Sequence, residues 1–321
     1  MFPWSTYRPV TASVKPTSGN SAVDPGSNSS PPAVIRNALT IDVEDYYQVS
    51  AFEDDVHRSD WGTYPQRVVG NTQRLLDLFE THNVQGTFFV LGWVAEQYPS
   101  LVREIASRGH ELGSHSYWHR LVYRQTPDEF RTDLVRSKKV IEDAAGHEVV
   151  AYRAPSFSIT GKSLWALEIL VEEGFRIDSS IFPIYHDRYG IPDARRDLHA
   201  FDTARGEIWE FPAAVHRILG VNLPISGGGY FRLLPIRLTT RWLADVNRTQ
   251  KRPFVFYIHP WELDPDQPRL EVGTRRSRFR HYLNLESTQR KLETVCNRFC
   301  FGRLSDVVQD ADGRDHRFES Q

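Results

Sequence analysis

Three carboxylates stand directly after an apolar run near the start of the chain. Asp42, Glu44 and Asp45 lie within four positions, at the end of the segment Thr40–Asp45. Like charges this close require a cation, a proton or water between them. A solvated loop or a helix N-cap is the commoner explanation for acidic residues after a strand, so a metal site is favoured only if other ligands join them.

Two histidines four residues apart supply such ligands. His115 and His119 fall on one side of a helical turn, a spacing that lets both imidazoles donate lone pairs to one ion. Because the chain has 12 histidines, a pair with this spacing also arises by chance. The pair gains weight from the carboxylates that follow a neighbouring predicted strand.

Arg153 and His259 are two further polar residues that end apolar runs. Arg153 can bind a carboxylate bidentately and lower its pKa, although an ordinary surface ion pair is the simpler explanation. His259 follows the apolar run Phe256–Ile258, where an isolated histidine is more often a structural core residue. Neither residue indicates a catalytic site by itself.

Together these side chains carry the chemistry of amide hydrolysis. Two histidines and one carboxylate hold a divalent metal with open positions, where water becomes a better nucleophile and an acyl oxygen is polarised. A second carboxylate removes the proton of that water, and a separate histidine protonates the departing amine. The combination predicts a hydrolase if the fold brings these residues to one place.

The elements that position them alternate between short apolar runs and amphipathic stretches. This pattern is typical of βα units around a parallel sheet, either a barrel or an open doubly wound sheet. Polar residues after strand ends meet at one edge of such a sheet. The clearest helix begins at Thr126, where a proline and Glu129 complete a capping box. The predicted strands are 38–43, 86–91, 110–114, 149–153, 175–177, 208–211 and 254–258, and the other predicted helices are 67–81, 93–107, 162–173 and 287–299.

Length and composition narrow the function classes. A chain of 321 residues with 40% apolar residues can bury a large core, as one α/β domain or two unequal ones. A net charge of −2 without a long like-charge run lacks the basic footprint of nucleic-acid binding, so nucleic acid is not an expected partner. Two cysteines, Cys296 and Cys300, exclude a disulfide framework.

The first 36 residues are rich in Pro, Ser, Gly and Thr, which predicts a disordered extension. They lack the basic and apolar regions of a secretory signal. No run in the chain reaches the ~20 apolar residues that span a bilayer. These observations predict a cytoplasmic protein without a transmembrane segment.

The order of the motifs resembles the polysaccharide deacetylases with the NodB homology domain, carbohydrate esterase family 4. The ordered combination is far more specific than any single motif. It consists of Asp42–Asp45, His115–His119, Arg153–Pro155 and Ile258–Pro260. The segments Asp42–Tyr47, Ile208–Pro212, Gly227–Phe231 and His259–Glu262 further resemble the branch found in exopolysaccharide gene clusters associated with exosortase.

The resemblance implies an α/β fold, a distorted (β/α) barrel of about seven strands. It implies one deacetylase domain over residues 37–308, including a C-terminal segment specific to that branch, between the extension at 1–36 and a flexible tail at 309–321. The implied function is hydrolysis of the N-acetyl amide of amino sugars in a polysaccharide or oligosaccharide. An N-acetylated glycan is the implied partner, and exopolysaccharide biosynthesis is the implied setting.

The resemblance also implies roles for the motif residues. Asp42 is the expected general base, held by Arg153. His259 is the expected general acid, oriented by a carboxylate such as Asp178. The expected metal ligands are His115, His119 and either Glu44 or Asp45, because Val43 stands where the commonest family motif has a second aspartate; position favours Glu44. The expected ion is Zn²⁺, with Co²⁺ or Ni²⁺ as alternatives.

Four residues are expected to bind substrate. The resemblance implies that the backbone amide of Ser156, which follows Pro155, helps to bind the oxyanion. Tyr230 and Trp261 are aromatic residues beside motifs, and they are expected to stack on sugar rings.

Two alternatives remain open at this point. Allantoinase-like cyclic amidases share the Asp-x-Glu start and the Arg-Ala-Pro motif, but they do not rely on the metal triad. Retention of His115 and His119 therefore favours the deacetylase. A carbohydrate-binding barrel without catalysis ranks lower, because Asp42 and His259 are also present.

Overall fold

Eleven β-strands and ten α-helices make up the part of the chain that the structure describes. The structure is a computed structural model, and it describes residues 34–186 and 188–313. The strands are β1 (Arg36–Val43), β2 (Thr87–Val90), β3 (Glu111–Ser114), β4 (Ala151–Tyr152), β5 (Ile177–Asp178), β6 (His199–Thr203), β7 (Gly206–Glu210), β8 (Val215–Ile218), β9 (Val221–Pro224), β10 (Val255–Ile258) and β11 (Cys300–Gly302).

The helices lie between most of these strands. They are α1 (Val68–Thr81), α2 (Gly92–Gln97), α3 (Pro99–Ser107), α4 (Pro127–Ala145), α5 (Trp165–Glu172), α6 (Gly228–Leu233), α7 (Ile236–Arg248), α8 (Arg275–Tyr282), α9 (Leu285–Arg298) and α10 (Leu304–Asp312). Short 3-10 segments cover Arg58–Thr63, Val122–Arg124, Pro155–Phe157 and Pro260–Leu263.

All seven predicted strands are confirmed, and they run parallel in one sheet. The sheet order is β10-β1-β2-β3-β4-β5-β7-β6, with β6 antiparallel at the edge and β11 also paired with β1. Strands β2 and β10 are buried throughout, as expected for parallel strands covered on both faces. The strands β6, β8, β9 and β11 were not predicted.

The sheet curls until its two ends approach each other. β10 and β7 do not pair directly, but isolated parallel bridges join Ala213 to Val255 and Gly227 to Tyr257. The segment after β7 therefore closes the gap beside β10. This arrangement confirms the distorted barrel that the resemblance implied, with closure by single bridges instead of a continuous ladder.

Local sequence signals explain the helix boundaries that matter for the site. Helix α4 begins with the predicted capping box between Thr126 and Glu129 and ends at Gly146, which has φ 77°. The single helix predicted over 93–107 is divided, because Pro99 starts a new helix and disfavours a helical conformation at Tyr98. Helices α6, α7, α8 and α10 were not predicted.

The predicted domain limits differ from the structure at both ends. Strand β1 begins at Arg36, one position before the expected domain start. Helix α10 runs to Asp312, so the expectation of a flexible tail from residue 309 is wrong for its first four residues. The rest of that tail, 314–321, and most of the predicted N-terminal extension, 1–33, lie outside the described residues.

We predict that Gly227→Ala destabilises the fold. Gly227 has φ 152°, and a Cβ there would lie 2.1 Å from the Tyr257 carbonyl oxygen, so the closing bridge would have to shift. We expect a loss of about 1–3 kcal/mol, measured by chemical unfolding. Gly70→Ala is the control, because a Cβ there meets no atom within 4 Å and alanine favours the exposed helix position. Equal stability of the two variants would contradict the close approach at Gly227.

Candidate active site

The predicted site residues gather at the carboxyl ends of the parallel strands. Asp42 is the penultimate residue of β1, and His115 directly follows β3. Arg153 directly follows β4, and His259 directly follows β10. Because these strands are parallel and in register, their ends lie at one mouth of the barrel.

Glu44, His115 and His119 form a group that could hold a metal ion. One ligand atom from each residue lies within 4.8 Å of the others, and all three side chains are buried. The His115 Nδ1–H donates to the Arg153 carbonyl oxygen at 2.8 Å, which leaves Nε2 as the lone-pair atom. Glu44 Oε2 is buried, and its hydrogen-bonding contact among the described residues is with His119 Nε2, 2.8 Å away. A buried carboxylate oxygen beside these imidazoles fits a cation.

The charges of the group suit metal ligation. Burial would raise the pKa of Glu44, but His119, His259 and His115 together lower it to about 2. Burial lowers the pKa of His115 to about 4, against the opposing effect of Asp42 and Glu44. At neutral pH Glu44 is therefore ionised and His115 neutral, the forms in which both residues bind metals.

Asp45, the alternative third ligand, points away from this group. Its Oδ2 accepts hydrogen bonds from the Arg67 and Val68 amides at 2.7 and 2.9 Å, and its Oδ1 accepts from the Tyr46 amide at 2.9 Å. It thus satisfies amides at the N-terminus of α1. Burial raises the pKa of Asp45 to about 6. Asp45 is therefore not part of the candidate metal group, and Glu44 is the carboxylate that lies with His115 and His119.

Arg153 is completely buried and holds Asp42 as expected, but through one nitrogen. Its Nη1 donates to Asp42 Oδ1 at 2.9 Å and to Thr40 Oγ1 at 2.8 Å. Its Nε and Nη2 donate to the carbonyl and hydroxyl oxygens of Ser179. The bidentate contact that the sequence suggested is absent, because Ser179 occupies the other half of the guanidinium.

His259 is oriented by Glu262 and not by Asp178. Glu262 Oε1 accepts hydrogen bonds from the His259 Nδ1–H at 2.7 Å and the His259 backbone amide at 3.0 Å. The opposite ring atom, Nε2, lies 3.8 Å from Asp42 Oδ2 and 3.8 Å from Glu44 Oε1. The i, i+3 spacing of His259 and Glu262 was the sequence signal that could have identified this pair.

The charge on His259 follows from these neighbours. Burial lowers its pKa, but the hydrogen bond and charge of Glu262, with Glu44 and Asp42, raise it to about 9. Glu262 is itself buried and held by Arg232, whose Nε donates to Oε2 at 2.7 Å. His259 is therefore protonated at neutral pH.

Asp178 belongs to a different buried carboxyl pair. It lies beside Glu210 and accepts a hydrogen bond from the Ser180 hydroxyl. Burial and the neighbouring negative charge raise the pKa of Glu210 well above its usual range, and burial also raises the pKa of Asp178. The expectation that Asp178 orients the general acid is wrong, because its neighbours are Ser180 and Glu210, and the carboxylate that contacts His259 belongs to Glu262.

Trp261 does not offer an open face to a sugar. It is 5% exposed, and its ring stacks on His259 and on His281, with centroids 5.3 and 4.2 Å away. Its indole N–H donates to Glu44 Oε1 at 3.2 Å. The expected substrate-binding role of Trp261 is wrong, and its contacts make it a support for the metal group.

The other expected substrate residues keep their roles as predictions. Pro155 is buried, and Ser156 has φ 52° at the start of a tight turn. The Ser156 hydroxyl lies 2.8 Å from the hydroxyl of Ser50, which lies 3.4 Å from His119 Nδ1. Sequence analysis missed Ser50, which carries no motif signal. Tyr230 is half-buried on α6.

Two segments of the chain match known family models. Residues 54–171 match the family described as polysaccharide deacetylase, and residues 179–309 match a domain of unknown function, DUF3473. A peptidoglycan-N-acetylglucosamine deacetylase from Bacillus cereus is 36% identical over 98 residues, covering 30% of this chain and 36% of that protein. A peptidoglycan deacetylase from Helicobacter pylori is 30% identical over 121 residues, covering 36% of this chain and 40% of that protein. The chain thus spans about two-fifths or less of the length of these curated relatives.

Solved structures show the same fold. A Mycobacterium smegmatis protein assigned to the polysaccharide deacetylases aligns with a TM-score of 0.59 at 21% identity, covering 93% of this chain and 100% of that one. A Pseudomonas aeruginosa protein with the same assignment aligns with a TM-score of 0.54 at 14% identity, covering 89% and 93%. Residues 54–171 carry a polysaccharide deacetylase domain, and the chain as a whole shares the fold of these structures. Among the described helices, none combines the length and hydropathy that a membrane span needs.

We predict that metal titration distinguishes Glu44 from Asp45. Glu44→Gln, His115→Ala and His119→Ala should each weaken zinc binding by more than about 100-fold in calorimetry, because three protein ligands hold the ion. Asp45→Asn should bind zinc like the wild type but lose about 1–3 kcal/mol of stability, because an amide replaces one acceptor of the backbone N–H groups. Loss of zinc binding in Asp45→Asn without unfolding would contradict this assignment.

Proposed function

We propose that this protein is a metal-dependent polysaccharide N-deacetylase. It hydrolyses the N-acetyl amide of amino sugars in a polysaccharide or oligosaccharide and releases acetate. The observation that carries the proposal is the position of His259 Nε2, which lies 3.8 Å from both Asp42 and Glu44. A base, an acid and a candidate metal group thus surround one small space at the barrel mouth.

The residues present fit a divalent metal. The group combines two imidazoles and one carboxylate, and the Oε2 of Glu44 is buried within it, 2.8 Å from His119 Nε2. Zn²⁺ suits this donor set best, with Co²⁺ or Ni²⁺ as alternatives. When bound, such an ion polarises the acyl oxygen and makes water a better nucleophile. Glu44, His115 and His119 would hold it.

The protein's own residues move the protons. Asp42, fixed by Arg153, accepts a proton as the oxygen of a water molecule forms a bond to the acyl carbon. The Ser156 backbone N–H donates to the developing oxyanion. His259 donates its Nε2 proton to the amide nitrogen as the carbon–nitrogen bond breaks. The products are acetate and a free amino group.

The substrate class follows from the relatives and from the earlier resemblance. Both curated relatives described above are named as peptidoglycan deacetylases, which supports an N-acetylated glycan as substrate. We further propose a role in exopolysaccharide biosynthesis. Segments in the second half of the chain resemble the deacetylase branch found in exopolysaccharide gene clusters. A cytoplasmic location is a further part of the proposal.

Acetate release from a panel of N-acetylated glycans, with and without chelator, tests the proposal. We expect release from at least one glycan, loss of activity on chelation and recovery with added Zn²⁺ or Co²⁺. Activity on cyclic ureides that survives complete chelation would favour the alternative function of an allantoinase-like cyclic amidase. Binding of a glycan with no acetate released would favour a binding barrel.

Asp42→Asn should keep the metal and lose turnover. Asparagine preserves the contact to Arg153 but cannot accept the proton, so we expect kcat to fall by about 10²–10⁴-fold. Zinc content of the purified variant, measured by atomic emission, should equal that of the wild type. Normal turnover in this variant would reject Asp42 as the general base.

His259→Ala should also lower kcat by about 10²–10⁴-fold, because the amine would leave without a proton donor. Glu262→Gln should reduce kcat and move the basic limb of the pH–rate profile to lower pH, because it removes the carboxylate that raises the pKa of His259. The control is the exposed His57, whose replacement by alanine should change neither value. An unchanged profile in Glu262→Gln would refute its orienting role.

A further inference from the structure

Helix α8 carries an unusual concentration of arginine. Arg275, Arg276, Arg278 and Arg280 occupy four of its eight positions, and the helix contains no acidic residue. The complete chain has a net charge of −2, so this positive charge is local. Three of the four side chains are exposed, and Arg278 is half-buried.

These arginines have no acidic partner within the described residues, although many other arginines of the protein do. Arg131, for example, pairs with Glu172 and Glu173, and Arg108 pairs with three carboxylates. None of the ion pairs in the described ranges involves α8. The helix therefore presents uncompensated charge to solvent.

The helix is fixed beside the candidate active site at both ends. At its C-terminal end, His281 stacks on Trp261, whose indole binds Glu44. Just before its N-terminal end, the Gly273 amide donates to Asp55 at 2.8 Å, and Gly273 packs closely on Phe52. Residues 52–55 directly follow Ser50, which contacts His119 and Ser156. Both ends of α8 therefore contact residues that adjoin the candidate site.

One exposed aromatic residue lies among the charges. Phe279 is 65% exposed and sits between Arg278 and Arg280. Guanidinium groups bind carboxylates through paired N–H donors, and aromatic rings pack on sugar rings. The remainder of α8 is polar, so it lacks the broad apolar face with which helices enter a membrane surface.

We propose that α8 is a binding surface for an acidic glycan, and that its arginines bind carboxylates on sugars outside the reacting unit. The inference rests on the proposed deacetylase function and specifies its substrate as an anionic, N-acetylated polymer. Sugars bound at α8 would hold the neighbouring N-acetyl group at the mouth. The partner is a glycan strand because α8 adjoins the site where an amide of such a strand would react.

Calorimetry with two probes tests the inference. One probe is an oligosaccharide of alternating glucuronate and N-acetylglucosamine, and the other is a neutral N-acetylglucosamine oligosaccharide of equal length. We expect the wild type at low salt to bind the acidic probe about tenfold more tightly. The ratio of the affinities for the acidic and the neutral probe should approach one at about 1 M salt, where the Debye length is ~3 Å. In a variant with all four α8 arginines replaced by glutamine, the ratio should be near one at low salt.

A matched variant controls for net charge. Arg237, Arg241, Arg248 and Arg290 are exposed arginines on α7 and α9 that form no ion pair within the described residues. Their replacement by glutamine removes the same charge and should leave the tenfold preference intact. If this variant no longer prefers the acidic probe, the preference would be an effect of the protein's overall charge, and the assignment to α8 would be overturned. If the fourfold α8 variant does not fold, Arg275→Gln with Arg276→Gln replaces it, and the preference should fall by about threefold.

The other outcomes separate this inference from the proposed function. Acetate release from a neutral glycan, with no preference for the acidic probe, would reject the α8 surface and leave the deacetylase assignment intact. A preference that depends on α8, without acetate release from any glycan, would retain the surface and reject the deacetylase. Binding to vesicles of anionic phospholipid that α8 substitutions abolish, with equal affinity for both glycans, would show a membrane surface instead.

Discussion

A buried carboxylate, Glu44, lies among three imidazoles at the mouth of the barrel, and the site is arranged around its charge. An ionised carboxylate in such a place is costly unless cations or hydrogen-bond donors compensate it. His119, His259 and His115 lower its pKa to about 2, and the Trp261 indole donates to one of its oxygens. The other oxygen lies 2.8 Å from His119 Nε2. These contacts leave room for a cation and make the group a candidate metal centre.

The acid side of the site comes from the C-terminal half of the chain. Arg232 holds Glu262, and Glu262 holds His259. His281 stacks on Trp261 and fixes the ring that supports Glu44. The segment that matches a domain of unknown function contains Arg232, His259, Trp261, Glu262 and His281. The polysaccharide deacetylase match contains His115 and His119. The second segment thus completes the site that the first one begins.

Much of the fold and most of the site residues were predictable from the sequence. Hydrophobic runs located all seven parallel strands, because strands buried on both faces have apolar side chains throughout. The polar residues that end those runs then identified Asp42, His115, Arg153 and His259. Helix α8 was missed because it is polar around its whole circumference and has no apolar periodicity.

Sequence by itself determined which residues reach the barrel mouth, since the carboxyl end of a parallel strand is a local property of the chain. Only tertiary structure decided the direction of each side chain there. Asp45 turned to the amides of α1, Asp178 paired with Glu210, and Trp261 was buried between histidines. Acidic residues that lie close together in the sequence cannot be told apart by residue type or spacing. Their roles differ because Arg67, Glu210 and Trp261, the respective neighbours of Asp45, Asp178 and Glu44, lie more than twenty residues away in the chain.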